Sequence, residues 1–334
     1  MQNTNQTPNA FANQTVLITG GLGFIGSNLA YVLTQMNARV TIVDNCHPYS
    51  GGTMKNVLSF KDKLKIYDQD VRDKTAISRL VRGQKYIFHC AGLIDHIRSV
   101  EDPMDDFHNN AEASLSLLEA CRVENPDAII VYLSTRGVYG QLKKLPATEG
   151  TCPFPIDFNG INKLAAEYYH LLYFRHYGLR TTVLRLTNTY GPRQRLRRAG
   201  SGFLGHFIRQ ALSGKPIQIY DRGNFKRDFT YVWDVLDAMI RAAESERSDG
   251  QVYNIGGHSR SIRQVADAIQ RLAGKNQPYI FIPHPEIAKD IEIGDFQASS
   301  KKIETDLGWT LKTSFEEGLK ATMTFYKREL KNYL

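Results

Sequence analysis

The chain has 334 residues, 42% of them hydrophobic and 23% charged, with a formal net charge of +8. That is a globular composition, sized for one large domain or two joined ones. No apolar run reaches the ~20 residues of a membrane span, and no long basic run with interleaved aromatics marks a nucleic-acid surface. The modest positive charge serves solubility or draws an anionic ligand such as a phosphate ester.

In chain order, the polar opening "MQNTNQTPNAFANQ" reads as a disordered tail over residues 1–13. "TVLITG" (15–20) is a buried strand, "FIGSNLAYVLTQMN" a helix, and "RVTIVD" (39–44) a second strand. "LKIYDQD" (64–70) is a third strand, followed by the helix "TAISRLVRG", and "YIFHCAG" (86–92) is a fourth. A helical stretch "NNAEASLSLLEACRVE" leads to a fifth strand, "AIIVYLST" (128–135). The helix "NKLAAEYYHLLYFRHYG" leads to a sixth, "RTTVLRLTN" (180–188). Strand and helix alternate without a hairpin signal, which predicts an α/β fold: a parallel sheet covered on both faces, doubly wound. After Tyr190 the pattern loosens. "GPRQRLRRAGSG" is a loop, "FLGHFIRQALSG" a helix, "RDFTYVWDVLDAMIRAAE" a strand or turn and then a helix, and "VYNIGG" a short strand. The chain ends in the amphipathic helix "SFEEGLKATMTFYKREL".

The cysteines are Cys46, Cys90, Cys121 and Cys152. None forms a CxxC pair, so no zinc or redox motif is indicated and no metal is expected. Cys90 and Cys121 sit in apolar patterns as small core residues. Reduced thiols and no visible signal peptide fit the cytoplasm.

Between the first strand and first helix, "TGGLGFIG" places Gly20, Gly23 and Gly26 in a GxxGxxG spacing. Such glycines allow a tight turn, a close approach to a pyrophosphate, and close packing of helix on sheet. The helix N-terminus then faces the phosphates. Glycines that serve packing alone are the alternative. Asp44 closes the second strand, 18 residues after Gly26, where a carboxylate accepts both ribose hydroxyls and repels a 2′-phosphate. No arginine follows it directly, so the reading is NAD rather than NADP. Asp70 closes the third strand, placed either to face the adenine or to cap the next turn.

In these motifs the chain resembles the extended short-chain dehydrogenase/reductase family, specifically its nucleotide-sugar epimerases and dehydratases. The residues that carry the resemblance are "TGGLGFIG", "VDN", "QDV", "HCAG", "LSTRGVYG", "NGINKLAAE", "RLTNTYGPRQ", "RDFTYVWD" and "YNIGG", in family order across about residues 15–310. The resemblance implies a Rossmann domain on NAD over 14–187, joined by about 228–257. It implies a smaller C-terminal α/β lobe, 188–227 and 258–334, for a nucleoside-diphosphate sugar, and a homodimer built on a helix bundle. Gly20, Gly23, Phe24, Ile25 and Gly26 match the pyrophosphate loop. Asp44 and Asn45 match the ribose contact, Asp70 and Val71 the adenine contact. Ala91, Gly92 and Asn110 match the nicotinamide end. Thr135 matches the catalytic Ser/Thr and Lys163 the catalytic lysine. Asn188 and Arg227 match contacts to the substrate phosphates, and Arg193 is a further candidate contact.

One departure is sharp. The family's acid/base tyrosine stands four residues before the lysine, and here that residue is Asn159. An amide has no proton to give at neutral pH. Three readings stay open. Another group has taken over, His96 first and Asp95, Asp157 or Tyr169 behind it. Or Asn159 orients a sugar hydroxyl while water or Thr135 relays the proton. Or the protein binds NAD and a nucleotide sugar without turnover. Family 4,6-dehydratases carry Asp-Glu after the Ser/Thr. Arg136 and Gly137 follow here, which puts an epimerase ahead of a dehydratase. Arg136 reads as a contact for an acidic group on the sugar, or as an ion-pair partner of Glu101–Asp102. Glu292, three residues before Asp295, stands where the C-terminal lobe of the family often has an arginine, and this leaves the nucleotide open.

Overall fold

The computed structural model describes residues 10–196, 202–274 and 278–333. The first half runs β1 (Thr15–Thr19), α1 (Phe24–Gln35), β2 (Arg39–Asp44), β3 (Leu64–Asp68), α2 (Lys74–Val81), β4 (Tyr86–His89), α3 (His96–Glu101), α4 (Pro103–Phe107), α5 (Ala113–Glu124), β5 (Ile129–Thr135), α6 (Phe158–Tyr177) and β6 (Thr181–Leu186). The second half runs β7 (Asn188–Tyr190), α7 (Phe203–Leu212), β8 (Gln218–Tyr220), β9 (Lys226–Tyr231), α8 (Val232–Glu244), β10 (Gln251–Ile255), β11 (His258–Ser261), α9 (Ile262–Ala273), β12 (Ile280–Ile282), α10 (Glu286–Asp290), α11 (Lys301–Leu307) and α12 (Phe315–Tyr333). No helix of the described residues is long and apolar enough to cross a membrane.

Seven strands form one parallel sheet in the order β10-β6-β5-β4-β1-β2-β3. Side chains alternate between its faces, as the strand period of two demands. Val16 and Ile18 join a core with Leu29 and Leu33 of α1 and Val235 and Met239 of α8. Leu17, Ile87 and Ile130 join another with Ile77 of α2 and Leu117 and Leu118 of α5. Both faces are therefore covered, which is why β1, β4 and β5 are near-continuous apolar runs. Strand order reverses between β1 and β4, which opens a crevice at their carboxyl ends.

Two expectations need correction. The tail drawn over 1–13 is described only from Ala10, and there Phe11 is fully buried, its ring 4.5 Å from that of Tyr86. An aromatic inside a polar run was enough to anchor this end. The return to the main sheet also begins later than residue 228. β9 pairs with β7 and β11 in a separate three-stranded sheet. Only α8 and β10 rejoin the first sheet.

A polar network lies inside the sheet's second half. The Arg185 guanidinium on β6 donates to both oxygens of Glu167 on α6 and, at 2.8 Å, to the Tyr139 hydroxyl. Tyr139 donates in turn to Asn254 Oδ1 of β10 at 2.8 Å, and the Ser134 hydroxyl of β5 donates to Glu167. Buried charge is tolerable because each member has partners.

Two buried histidines lie beside this network. The Ser114 hydroxyl donates to the Asn110 carbonyl, so it accepts from His89 Nε2 at 3.0 Å, and His89 Nδ1 accepts from Thr19 Oγ1 at 2.7 Å. His170 stacks on Tyr132 at 4.6 Å with no hydrogen bond to either ring nitrogen. Burial pushes the His89 imidazole well below its usual value and the His170 imidazole down to about 3. Both stay neutral in the folded protein and charge in the unfolded chain, so stability falls as pH drops below ~6.5. Each histidine contributes a slope of about 1.4 kcal/mol per pH unit. Urea titrations at pH 7, 6 and 5 should show this loss, and His170→Phe should remove the share that belongs to His170.

Candidate functional site

The glycine loop meets the cofactor's requirements in this backbone. Gly20 has φ +65°, and a Cβ there would stand 2.7 Å from the Ala91 backbone. A Cβ on Gly26 would stand 2.4 Å from the Gly20 carbonyl oxygen, so α1 packs against the turn only because that atom is missing. Gly23 is the N-cap of α1 and offers no side chain, so Phe24, Ile25 and Gly26 supply leading amides that no cap covers. Asp44 Oδ2 accepts from Leu22 N at 2.9 Å and Oδ1 from Cys46 N at 2.9 Å, which fixes the carboxylate beside this turn. Burial raises its pKa, and those two amides oppose the rise. A cradle a Cβ would fill, open helix-terminal amides and a fixed carboxylate together fit NAD.

The adenine side is more crowded than the sequence suggested. β3 stops at Asp68, so Asp70 lies beyond the strand. Its carboxylate takes two bonds from Arg72, at 2.8 and 2.7 Å, and one from Asn45 Nδ2 at 2.8 Å. The Arg72 guanidinium holds it down to about 2. Asp70 also accepts from Arg72 N, the turn-capping role. Val71 is buried beside it.

At the other end of the crevice, Gly92 has φ +150°, and a Cβ there would meet Asn110 Oδ1 at 2.6 Å and Lys163 Nζ at 2.8 Å. Asn110 sits in a single π-turn, His108–Glu112, between α4 and α5. Such turns often mark functional positions. Its Oδ1 accepts from Leu93 N at 3.2 Å, while its buried Nδ2 has no partner. An orphaned buried donor beside Gly92 and Lys163 is what a bound nicotinamide would satisfy. Lys163 is buried, donates to the Leu133 carbonyl at 3.2 Å, and is pulled down to about 8 by burial, with Asp106 the largest opposing charge.

Asn159 commits its amide hydrogens to the protein interior. It is buried, and both amide hydrogens are engaged: Nδ2 donates to the Leu93 carbonyl at 2.8 Å and to Asp106 Oδ2 at 2.9 Å. Asn162 donates to the other Asp106 oxygen at 2.9 Å. The expectation that Asn159 orients a sugar hydroxyl is corrected for its donors: one binds α6 to α4 at Asp106, and the other binds the loop after β4 at Leu93. Sequence reasoning missed Asp106 and Asn162, because no local pattern marks partners that lie 53 and 56 positions apart.

His96 is placed differently. It opens α3, and its Nδ1 lies 2.7 Å from Asp157 Oδ2. With Nδ1–H donated to the carboxylate, Nε2 has no hydrogen-bond partner among the described residues. A Cβ on Gly137 would stand 3.1 Å from His96 Cε1, so the bare glycine makes room for the ring. Gly137 N in turn donates to Thr135 Oγ1 at 3.1 Å, which sets the dyad next to Thr135. Asp157 also caps α6 by accepting from Gly160 N, and His96 helps to keep its pKa low against burial. Asp95 caps α3, and Tyr169 packs on the core formed by α2 and α5, so neither enters the site. Gly137 was missed as a partner of His96, although both lay in motifs already singled out.

On the substrate side, Asn188 donates to the Asp228 carbonyl at 2.9 Å. Arg227 is buried and bonded to Glu292 and to the Gly294 and Lys226 carbonyls. Arg193 is corrected as a candidate contact: it donates to Asn28 Oδ1 at 2.6 Å and to the Asn56 carbonyl at 3.0 Å, and lies against Tyr31 and Phe60. Of the basic run 193–198, residues 197 and 198 lie outside the described residues. The alternative reading of Arg136, an ion pair with Glu101–Asp102, is not found among the described residues, where Asp102 lies 3.5 Å from Arg98. The four cysteines are free thiols.

A family model described as "NAD dependent epimerase/dehydratase family" matches residues 16–256. A putative UDP-glucose 4-epimerase of Methanocaldococcus jannaschii is 31% identical over 314 residues, 93% of this chain and 98% of that protein. The crystal structure of UDP-glucose 4-epimerase with UDP-glucose from Thermotoga maritima superposes with a TM-score of 0.87 at 31% identity, covering 95% of this chain and all of that one. The Thermus thermophilus UDP-glucose 4-epimerase complex with NAD superposes with a TM-score of 0.84 at 31% identity, over 94% and 99% of the two chains. With the glycine cradle, Asp44 and the buried lysine in place, this chain belongs to the NAD-dependent epimerase/dehydratase family.

Proposed function

We propose that the protein epimerises a nucleoside-diphosphate sugar and that His96, oriented by Asp157, moves the proton. The observation that supports this most is the 2.7 Å contact between those two side chains beside Thr135, at a site where Asn159 is engaged in the interior. NAD, when bound, supplies the hydride acceptor and donor. Gly20, Gly23 and Gly26 with the α1 amides hold its phosphates, Asp44 and Asn45 its ribose, and Ala91, Gly92, Asn110 and Lys163 its nicotinamide end.

The remaining work falls to this chain's own groups. His96 Nε2 accepts the proton from the sugar hydroxyl that is being oxidised and returns it on reduction. Asp157 holds the imidazole in the right tautomer and stabilises the charged ring. Thr135 directs the hydroxyl. The buried Lys163 ammonium supplies positive charge where hydride is to be received. Asn188 and Arg227 receive the diphosphate.

The reading includes a homodimer. Phe158, Ile161, Tyr168 and Leu172 of α6 are exposed apolar residues on neighbouring turns, and Leu115 of the adjoining α5 extends them. A second copy packing through these two helices would bury that face. A cytoplasmic setting is supported by the four free thiols.

Turnover is to be followed by NMR on UDP-, dTDP-, GDP- and CDP-sugars with NAD-loaded protein. His96→Ala should lower kcat by roughly 10² to 10⁴ with NAD still bound, and an unchanged rate would remove the role given to His96. Asn159→Ala should instead cost ~1–3 kcal/mol of stability by leaving Asp106 short of a donor, with kcat of the folded fraction retained. A large kcat loss without destabilisation would return Asn159 to the chemistry. Light scattering should give twice the mass of the chain, and Ile161→Lys with Leu172→Lys should yield monomers.

A further inference from the structure

The proposed mechanism leaves the chemistry of Arg136 unused. It follows Thr135 directly at the end of β5 and is only partly exposed. Its guanidinium makes no hydrogen bond and no ion pair among the described residues. It lies over the Phe296 ring, 5.6 Å from the centroid. Burial and the neighbouring Arg227 both work against its charge and pull it down to about 10. A cation kept in such a place without a partner is costly unless something anionic arrives.

The charges facing it are Arg227, Glu292, Asp157 and Asp228. Each of the three carboxylates already has a donor. Asp157 holds His96 and Gly160 N. Glu292 holds Arg227 and Gly294 N. Asp228 accepts from Ala298 N at 2.7 Å, and burial raises it to about 6. None is within ion-pair reach of Arg136, so among the described residues its guanidinium has carboxylates nearby but no direct partner.

We propose that Arg136 receives a carboxylate carried by the sugar, so that the substrate is an acidic nucleotide sugar rather than a neutral hexose. This rests on the nucleotide-sugar reading above and narrows it. Two features bear on the choice between a carboxylate and the diphosphate. Arg136 follows Thr135, the group assigned to the reacting end, directly in the chain, and Asp157 is among the charges facing it together with the Arg227 assigned to the phosphates, so the binding test below has to separate the two ends. The guanidinium fork also matches a planar carboxylate in a two-bond grip, and the aromatic face beneath it limits the orientations it can take.

The test is calorimetric binding, which needs no turnover. Free UDP, dTDP, GDP and CDP first identify the base that the NAD-loaded protein takes. On that base, the glucuronate and glucose derivatives then differ only in a carboxylate against a hydroxymethyl group. The wild-type protein should prefer the acidic sugar by about 10- to 100-fold, the range for a hydrogen-bonded charge pair. Arg136→Met should abolish that preference while keeping affinity for the free nucleoside diphosphate. Arg136→Lys should restore part of it. Equal wild-type affinities for the two sugars would overturn the proposal, as would an Arg136→Met loss shared equally by both sugars and the free diphosphate. The second result would place Arg136 on the phosphates. Failure of every nucleoside diphosphate to bind would instead remove the nucleotide-sugar reading, and this inference with it.

Discussion

The Asp106 carboxylate governs the interior of this site. It is buried and needs donors to remain there. Helix α6 supplies two, Asn159 and Asn162, three residues apart and so on one face. The same carboxylate is the largest charge favouring the buried Lys163 ammonium. Asn159 is thus the residue that satisfies a charge at the junction of two helices. Both of its amide hydrogens are so engaged, and the function proposed above gives proton transfer to His96 instead.

Absent side chains do as much as those present. Gly92 lets Lys163 and Asn110 approach the end of β4, and Gly137 leaves space for the His96 ring. Gly26 lets α1 sit close over the turn that carries its amides. In each case a methyl group would crowd an atom of the candidate site or of the turn that carries it.

Much of this was legible because it is local. The apolar strand runs alternating with helical spacing predicted the parallel sheet, and the glycine spacing with Asp44 predicted the dinucleotide cleft. What escaped was set by distance along the chain. His96 and Asp157 each drew attention, but separately: 61 positions divide them, and only the packing of α3 on α6 brings them together. Asp106 carries no motif. Arg227 looked free for phosphate until the fold brought Glu292, 65 positions on, against it. The assignment of β9 failed for the same reason, since a short strand does not announce which sheet it will join, and Phe11 was masked by its polar neighbours.

The Arg227–Glu292 pair has a consequence for recognition. Under the proposed function, a diphosphate reaching Arg227 would meet a guanidinium that already has an anion, and its grip would be the difference between two rivals for one fork. Glu292 would then be a resident competitor, weakening the hold on a ligand that offers phosphate alone. Discrimination among nucleotide sugars would thereby move from the shared diphosphate to the parts in which they differ.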